Sequence, residues 1–344
     1  MEWIVTVKSL ISRRSASAAA GSLIACWMLA ESAAPVLAQE KLTMRLDFLP
    51  YGTQAPLYLA KEKGWYAANG IDVQMDDGTG SASTVMLVDS GKYDLGFGSL
   101  ASLLAARDKG IQVKSIAVVL RKGDLGVLVD ADSPMKQPKD LEGKVIFFSP
   151  SSIETQFIDI WFAKNGVDKS KVQLSSIDIS TKVSTYLSGK GDGMFVPIPI
   201  YTIRKNIPRL SKGILFADFG LPLPGFGVFA NDNAIKTKSK ALGGFVAAVQ
   251  KAWAGIKDKT MIDEAVAALI KNRPQANLDP VYLQQQLEAV IPYMDTSATA
   301  GKPLLWQSPD DWSEGIKAGE EAGVIKAGAK PEDYFTNEFV PGAR

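Results

Sequence analysis

The chemistry open to this chain is set first by what it lacks. Of its 344 residues none is histidine, and one, Cys26, is cysteine. Ser-His-Asp and Cys-His catalysis, histidine-ligated zinc, imidazole acid–base work and a disulfide framework are thereby excluded. The groups that remain are better suited to holding a molecule than to transforming it. Phe48, Tyr51 and Gln54 lie within seven residues of one another, so that rings can stack on a planar solute while the amide donates a hydrogen bond. The run Gly78–Thr84, with Gly80 and Ser81 at a helix start, offers hydroxyls and backbone N–H groups to a polar or anionic group. Gly98-Ser99 and Ser149-Pro150-Ser151-Ser152 repeat that arrangement. Singly each is an N-cap; together they form a cradle for a small molecule, though not a P-loop, since the lysine is missing.

Arg121 follows a strongly apolar run and is placed either to pair an anion bidentately or to end a strand in solvent. Phe195 and Tyr201 flank a later apolar run and can supply an opposite aromatic wall, with Asp192 as a turn residue. Asp76/Asp77 and Asp310/Asp311 lack metal-ligand spacing. Trp65, Trp161 and Trp253 recur with apolar neighbours at helical spacing and read as core. Neither a metal nor a cofactor is expected.

The elements that must position these residues alternate. Lys41–Phe48 reads as a strand, with Leu42, Met44, Leu46 and Phe48 on one face. Ala55–Ala68 reads as a helix stopped by Asn69-Gly70, followed by Ile71–Met75 as a strand, Ser81–Asp89 as a helix, and Leu95–Phe97, Leu100–Lys109 and Val113–Leu120 as strand, helix and strand. Gly126–Asp130, Lys144–Phe148, Val172–Ile177, Met194–Val196, Ile214–Phe216 and Gly227–Ala230 follow as extended segments. Ser151–Lys164 and Lys182–Leu187 are the helices among them, the former opened by a Ser151/Glu154 capping box. Beyond residue 240 the pattern is helical. Strand–helix alternation of this kind predicts an α/β fold. The expected organisation is two lobes, 41–130 plus 222–344 and 131–221, joined by hinge strands at Gly126–Asp130 and Gly227–Ala230. A ligand would sit in the cleft between them, beyond the strand ends.

Residues 1–38 read as a secretion signal: a basic start with Lys8, Arg13 and Arg14, an uncharged run over Ala16–Ala30, and a small residue, Ala38, before Gln39. Glu31 and Pro35 interrupt the stretch of about 20 residues that a membrane anchor needs. Leu23-Ile24-Ala25-Cys26 resembles a lipobox, which makes a lipoprotein anchored through Cys26 the alternative. Without this segment the chain carries 35 basic and 35 acidic residues and no cysteine. That balance argues against nucleic acid as a partner, and the lack of thiols suits an oxidising compartment.

Four segments carry a family resemblance: Leu46–Val73 (LDFLPYGTQAPLYLAKEKGWYAANGIDV), Ser90–Val119, Asp140–Phe148 (DLEGKVIFF) and Pro331–Val340 (PEDYFTNEFV). In that order, behind a signal segment, they resemble the type II periplasmic substrate-binding proteins of the nitrate/sulfonate/thiamine-precursor family. The resemblance implies a Venus-flytrap pair of lobes that closes on one small molecule and docks on an ABC-importer permease in the inner membrane, as a monomer. It places the ligand loop at Phe48–Gln54. One branch of the family, the pyrimidine synthases of eukaryotes, consumes its own histidine together with pyridoxal phosphate. Where that branch has its histidine, this chain carries Gln54. The resemblance leaves the ligand open between a thiamine-precursor pyrimidine and a sulfonate or other anion, and leaves transport open against sensing for a membrane receptor.

Overall fold

The computed structural model describes residues 39–343 apart from 108, 151, 202–207, 322 and 324, and for residue 200 the backbone alone. Residues 1–38, read as a signal, with Cys26 among them, and Ser151 thus lie outside the described residues. Two five-stranded sheets carry the fold. The first contains β1 (Glu40–Leu46), β2 (Ile71–Asp76), β3 (Leu95–Ser99), β4 (Val113–Leu120) and β10 (Phe226–Asn231); the second contains β5 (Leu125–Asp130), β6 (Val145–Phe148), β7 (Gln173–Ser176), β8 (Gly193–Pro197) and β9 (Ser211–Leu215). Their spatial orders, β2-β1-β3-β10-β4 and β7-β6-β8-β5-β9, match place for place. In each sheet the fourth strand, β10 or β5, runs antiparallel to both neighbours. The other pairings, β1 with β2 and β3 and β6 with β7 and β8, are parallel and need helical crossovers.

Each antiparallel strand is the one by which the chain enters that sheet from the other. Residues 121–124 pass from β4 to β5, and residues 216–225 return from β9 to β10. The two passages lie backbone to backbone. A Cβ on Gly123 would stand 2.4 Å from the Leu223 carbonyl oxygen, and one on Gly225 would stand 2.1 Å from that of Leu120, so only glycine fits at either point. This corrects the expected boundary at residue 130. Gly126–Asp130 belongs to the second sheet, between β8 and β9, because it is apolar on both faces and buried throughout Leu125–Val129. Neither it nor Gly227–Ala230 is a free hinge strand; the links are the segments 121–124 and 216–225.

Packing follows the expected patterning closely in the first sheet. Leu42, Met44 and Leu46 alternate into a core with Phe97, Phe245 and Trp253, and Tyr66 stacks on Phe245 at 5.4 Å. The strand ends at Leu46, so Phe48, read as its last inward residue, is released into a loop. The segment read as one helix from Ser151 is a 3-10 turn over Ile153–Phe157 followed by an α-helix over Ile158–Lys164. On the other edge, Ser115 N–H donates to Tyr334 O at 2.8 Å and Thr336 N–H to Ser115 O at 2.9 Å. The PEDYFTNEFV tail thereby covers the open edge of β4. Among the described residues no helix is long and apolar enough to cross a membrane.

Trp161 is fully buried at the centre of the second sheet's aromatic cluster, 4.7 Å from Phe216 and 6.4 Å from Phe195 between ring centroids. Trp161→Ala should therefore lower the unfolding free energy by about 3–5 kcal/mol, read from the urea midpoint; a loss below about 1 kcal/mol would show that the cluster does not hold this sheet.

Candidate functional site

A cavity of about 310 Å³ opens at the strand ends between the two sheets, at the lower end of the size range of about 300–1000 Å³ for small-molecule sites. From the first sheet it takes the loop after β1 (Asp47–Tyr51), the Gly80-Ser81 helix start, and Tyr282 and Gln286 of the Pro280–Val290 helix. From the second it takes Ser152, Glu154, Lys182 and Tyr201, while Asp124 sits on the first linking passage.

The first loop is built tightly. Gln54 is fully buried, and its amide nitrogen donates to Asp47 Oδ1 at 3.2 Å and to the Phe48 carbonyl at 3.3 Å. Tyr51 donates its hydroxyl to the Asp47 carboxylate at 3.1 Å. Gln286 accepts from Gly52 N–H at 2.7 Å, fixing the loop to the C-terminal helices. Gly80, at φ 127° where side chains are strained, donates its N–H to Asp47 O at 2.6 Å. The loop thus turns Phe48 and Tyr51 toward the cavity and holds Gln54 behind them.

Burial dominates the electrostatics. It pushes the Asp47 carboxyl from its ordinary 3.8 up to about 7, against the lowering bonds from Gln54 and Tyr51. Asp124, 2 % exposed, is likewise raised to about 7, by burial and then by the charges of Asp47 and Glu154. Among the described residues its Oδ1 has no hydrogen-bond partner. Burial also raises the Tyr51 and Tyr201 hydroxyls well above their usual range. Across the cavity Lys182 and Glu154, 3 % and 2 % exposed, form an ion pair at 2.6 Å. Lys182 Nζ also donates to Phe195 O at 2.7 Å and Ser152 Oγ at 3.3 Å. An ammonium has three donors, and here all three are committed.

The residues expected at the site divide. Phe48, Tyr51, Gly80, Ser81, Ser152 and Tyr201 are brought together around the cavity. Gln54 stands one shell back. Ser99 is buried in β3, where its N–H donates to Ser81 Oγ at 3.0 Å, so this pair stitches a helix start to a strand, and Ser99 is not among the residues that line this cavity. Phe195 is core, packed on Trp161, Phe162 and Phe216; alternation turns Val196 and not Phe195 into the cavity. Arg121 is neither an anion clamp of this cavity nor a solvated strand end. It is 5 % exposed, with Nε donating to Trp306 O at 3.0 Å, Nη1 to Asp295 at 3.0 Å, and Nη2 to Pro303 O. Asp192 accepts from Val145 N–H at 2.8 Å, as a turn residue would.

Asp47, Asp124, Glu154, Lys182, Tyr282 and Gln286 were missed. Glu154 was read as a capping-box partner, and Asp124 is hidden in an ordinary Lys-Gly-Asp turn. The legible signal was Lys182, a charge set among Ile179, Val183 and Tyr186 on the inward side of its helix.

A family model described as NMT1/THI5 like matches residues 52–259. The chain belongs to that family. It is 25% identical over 323 residues to the riboflavin-binding protein RibY of Chloroflexus aurantiacus (91% of this chain, 89% of that one). It is 23% identical over 304 residues to the formylaminopyrimidine-binding protein of Halalkalibacterium halodurans (87% and 91%). The 4-amino-5-hydroxymethyl-2-methylpyrimidine phosphate synthase THI13 of Saccharomyces cerevisiae is 25% identical over 324 residues (88% and 89%). The fold is that of the periplasmic binding proteins: the structure of the aliphatic sulphonate binding protein SsuA from Escherichia coli superposes with a TM-score of 0.61 at 14% identity, over 86% of this chain and 91% of that one.

Two predictions follow from the buried charges. Lys182→Met strands Glu154 and should cost about 3–5 kcal/mol, whereas the double change with Glu154→Gln should restore most of that loss; equal melting of the single and double variants would refute the pairing. A carboxyl at 3.8 in the unfolded chain and near 7 in the fold binds its proton more tightly when folded. It supports the fold fully below the lower value, and that support is lost as pH rises toward the higher one. Asp47→Asn should therefore gain stability relative to the parent from about pH 4 to about pH 7, by on the order of 2–4 kcal/mol; a difference that stays flat across this range, in paired denaturant titrations, would contradict it.

Proposed function

We propose that this protein is an exported solute receptor that captures a small nitrogen heteroaromatic molecule by closure of its two lobes, for delivery to an ABC-importer permease in the inner membrane. The observation that carries this reading is the make-up of the cavity: aromatic side chains from both sheets, Phe48, Tyr51 and Tyr282 against Tyr201, around the acidic groups Asp47 and Asp124. Lys182 is the one cation among its described lining residues, and its donors are taken. A sulfonate or nitrate would enter three carboxyl groups without a free positive partner. A planar ring carrying N–H donors meets both the walls and the acceptors. The names of the riboflavin- and formylaminopyrimidine-binding relatives point to the same ligand class.

Binding without turnover is the reading for this branch. The resemblance gives the synthases a histidine that they consume, and this chain has none. Residues 1–38, read as a signal, support a periplasmic location, with the lipid-anchored form through Cys26 as the alternative. A monomer suffices, since one chain supplies both walls of the cavity.

Calorimetric titration of the purified protein tests the proposal. A 4-aminopyrimidine should bind one to one and raise the melting temperature, while ethanesulfonate and nitrate should leave it unchanged. Tyr51→Ala should weaken binding at least about tenfold, as loss of a stacking face predicts, whereas Arg121→Ala should lower stability and leave affinity nearly intact. Strong binding of the anions together with indifference to heteroaromatics would overturn the reading.

A further inference from the structure

The receptor reading above leaves open the charge of the ligand, and the charged groups facing the cavity do not balance. Lys182 and Glu154 cancel one another at 2.6 Å, and the other ammonium donors go to Ser152 Oγ and Phe195 O. Asp47 and Asp124 are left over, and among the described residues no cation pairs with either. Asp47 is answered in part by dipoles: Tyr51 donates to both of its oxygens, at 3.2 and 3.1 Å, and Gln54 to Oδ1 at 3.2 Å. Asp124 is different. It lines the cavity, it is 2 % exposed, and among the described residues its Oδ1 has nothing to accept from. Arg121 and Lys122, its near neighbours in the chain, are held elsewhere, by Asp295 at 3.0 Å and Asp218 at 3.1 Å. The titratable groups that feel its charge or impose theirs on it, Asp47, Tyr51, Glu154 and Tyr293, are all acids. Around the same space stand Phe48, Tyr51 and Tyr282 from the first side and Tyr201 from the second, and the faces of such rings attract positive charge.

We infer that the cavity selects planar rings that carry a positive charge, and that Asp124 is their counter-ion. The inference rests on the receptor reading and narrows its substrate class to aromatic organic cations, whether permanently charged or protonated. The Asp124 carboxyl is raised to about 7 by burial and by its acidic neighbours, because its ionised form lacks a partner. A cationic ring supplies that partner at the free Oδ1 and offers its faces to the aromatic walls at the same time. A permanently charged ring expels the Asp124 proton to solvent as it binds. A basic ring such as a 4-aminopyrimidine accepts that proton at a ring nitrogen. Either complex then holds a carboxylate against a cation. An uncharged ring of the same shape meets the same walls but brings no charge to Asp124.

Two probes of one shape separate charge from fit: 4-amino-1-methylpyridinium, a permanent cation, and 4-methylaniline, in which a ring carbon replaces the charged nitrogen. Titrated calorimetrically into the parent protein at about pH 8, the pyridinium should bind about tenfold or more tighter than the aniline. A carboxyl that titrates near 7 goes from about one-tenth to about nine-tenths ionised between pH 6 and pH 8. The pyridinium should therefore tighten about tenfold over that range, while the aniline changes less than about threefold. Asp124→Asn, uncharged and of nearly the same size, should weaken the pyridinium about tenfold or more at pH 8 and hold the aniline within about threefold, which also shows that the variant is folded. Equal affinities in the parent, a preference for the cation that survives in Asp124→Asn, or equal weakening of both probes by that change would overturn the inference, and binding of 4-aminopyrimidine would leave the receptor reading standing. Failure of all three compounds to bind would overturn both.

Discussion

Removing carboxyl groups from water governs this molecule more than any other interaction. Asp47, Asp124 and Glu154 share one small cavity with a single described ammonium, Lys182. Ion pairing neutralises only one of them. The other two are carried by raised proton affinity, by donated hydrogen bonds at Asp47, and at Asp124 by little besides its own backbone. Such a site is costly to the fold and is retained only where something else benefits. The aromatic walls around it say what that is. They set apolar ring faces beside that cluster of acceptors, the combination on which the proposed heteroaromatic ligand rests.

The scaffold distributes these groups between the two sheets and the chain that links them. Asp47 and Phe48 hang on the first sheet and Glu154 and Lys182 on the second, while Asp124 lies on one of the two strands of chain between them. Those passages are tightly constrained: Gly123 and Gly225 let the backbones touch, and Arg121 N–H and Lys122 N–H both donate to Tyr293 O, at 2.8 and 3.0 Å. Lys122 adds an ion pair with Asp218 on the returning passage at 3.1 Å. Arg121, whose three guanidinium nitrogens each donate into the segment 295–306, therefore anchors one end of the first passage to the C-terminal part of the chain. Its charge is used as a rivet, and the cavity is left without it.

The sequence was informative where a pattern has one physical cause. Alternation in β1 and the helix stop at Asn69-Gly70 arise from local burial and backbone geometry, and the structure keeps them. The loop Phe48–Tyr51 and the starts at Gly80-Ser81 and Ser152 were legible as places where chain ends face a cleft. What stayed hidden was set by distant partners. Glu154 is an acceptable capping residue until Lys182, 28 positions away, is found beside it. Arg121 looks like a strand-end charge until the residues near 300 fold over it. Whether Phe195 or Val196 faces the cavity depends on a register of one residue, which composition does not carry. The strand Gly126–Asp130 was assigned to the wrong sheet for a related reason: an apolar run announces burial but not which neighbours bury it.

These features together bear on how closure would be coupled to recognition. A ligand shifts an equilibrium between open and closed forms only by the difference in its affinity for the two. A molecule gripped by the serine-bearing helix starts alone would gain little from closure, because Ser81 Oγ already accepts from Ser99 N–H and Ser152 Oγ already serves Lys182. The free capacity lies instead in the rings of opposite sheets and in Asp124 between them. A ring stacked on Phe48 or Tyr51 would gain contact with Tyr201 as the second sheet approached. Recognition and movement would then draw on the same few contacts.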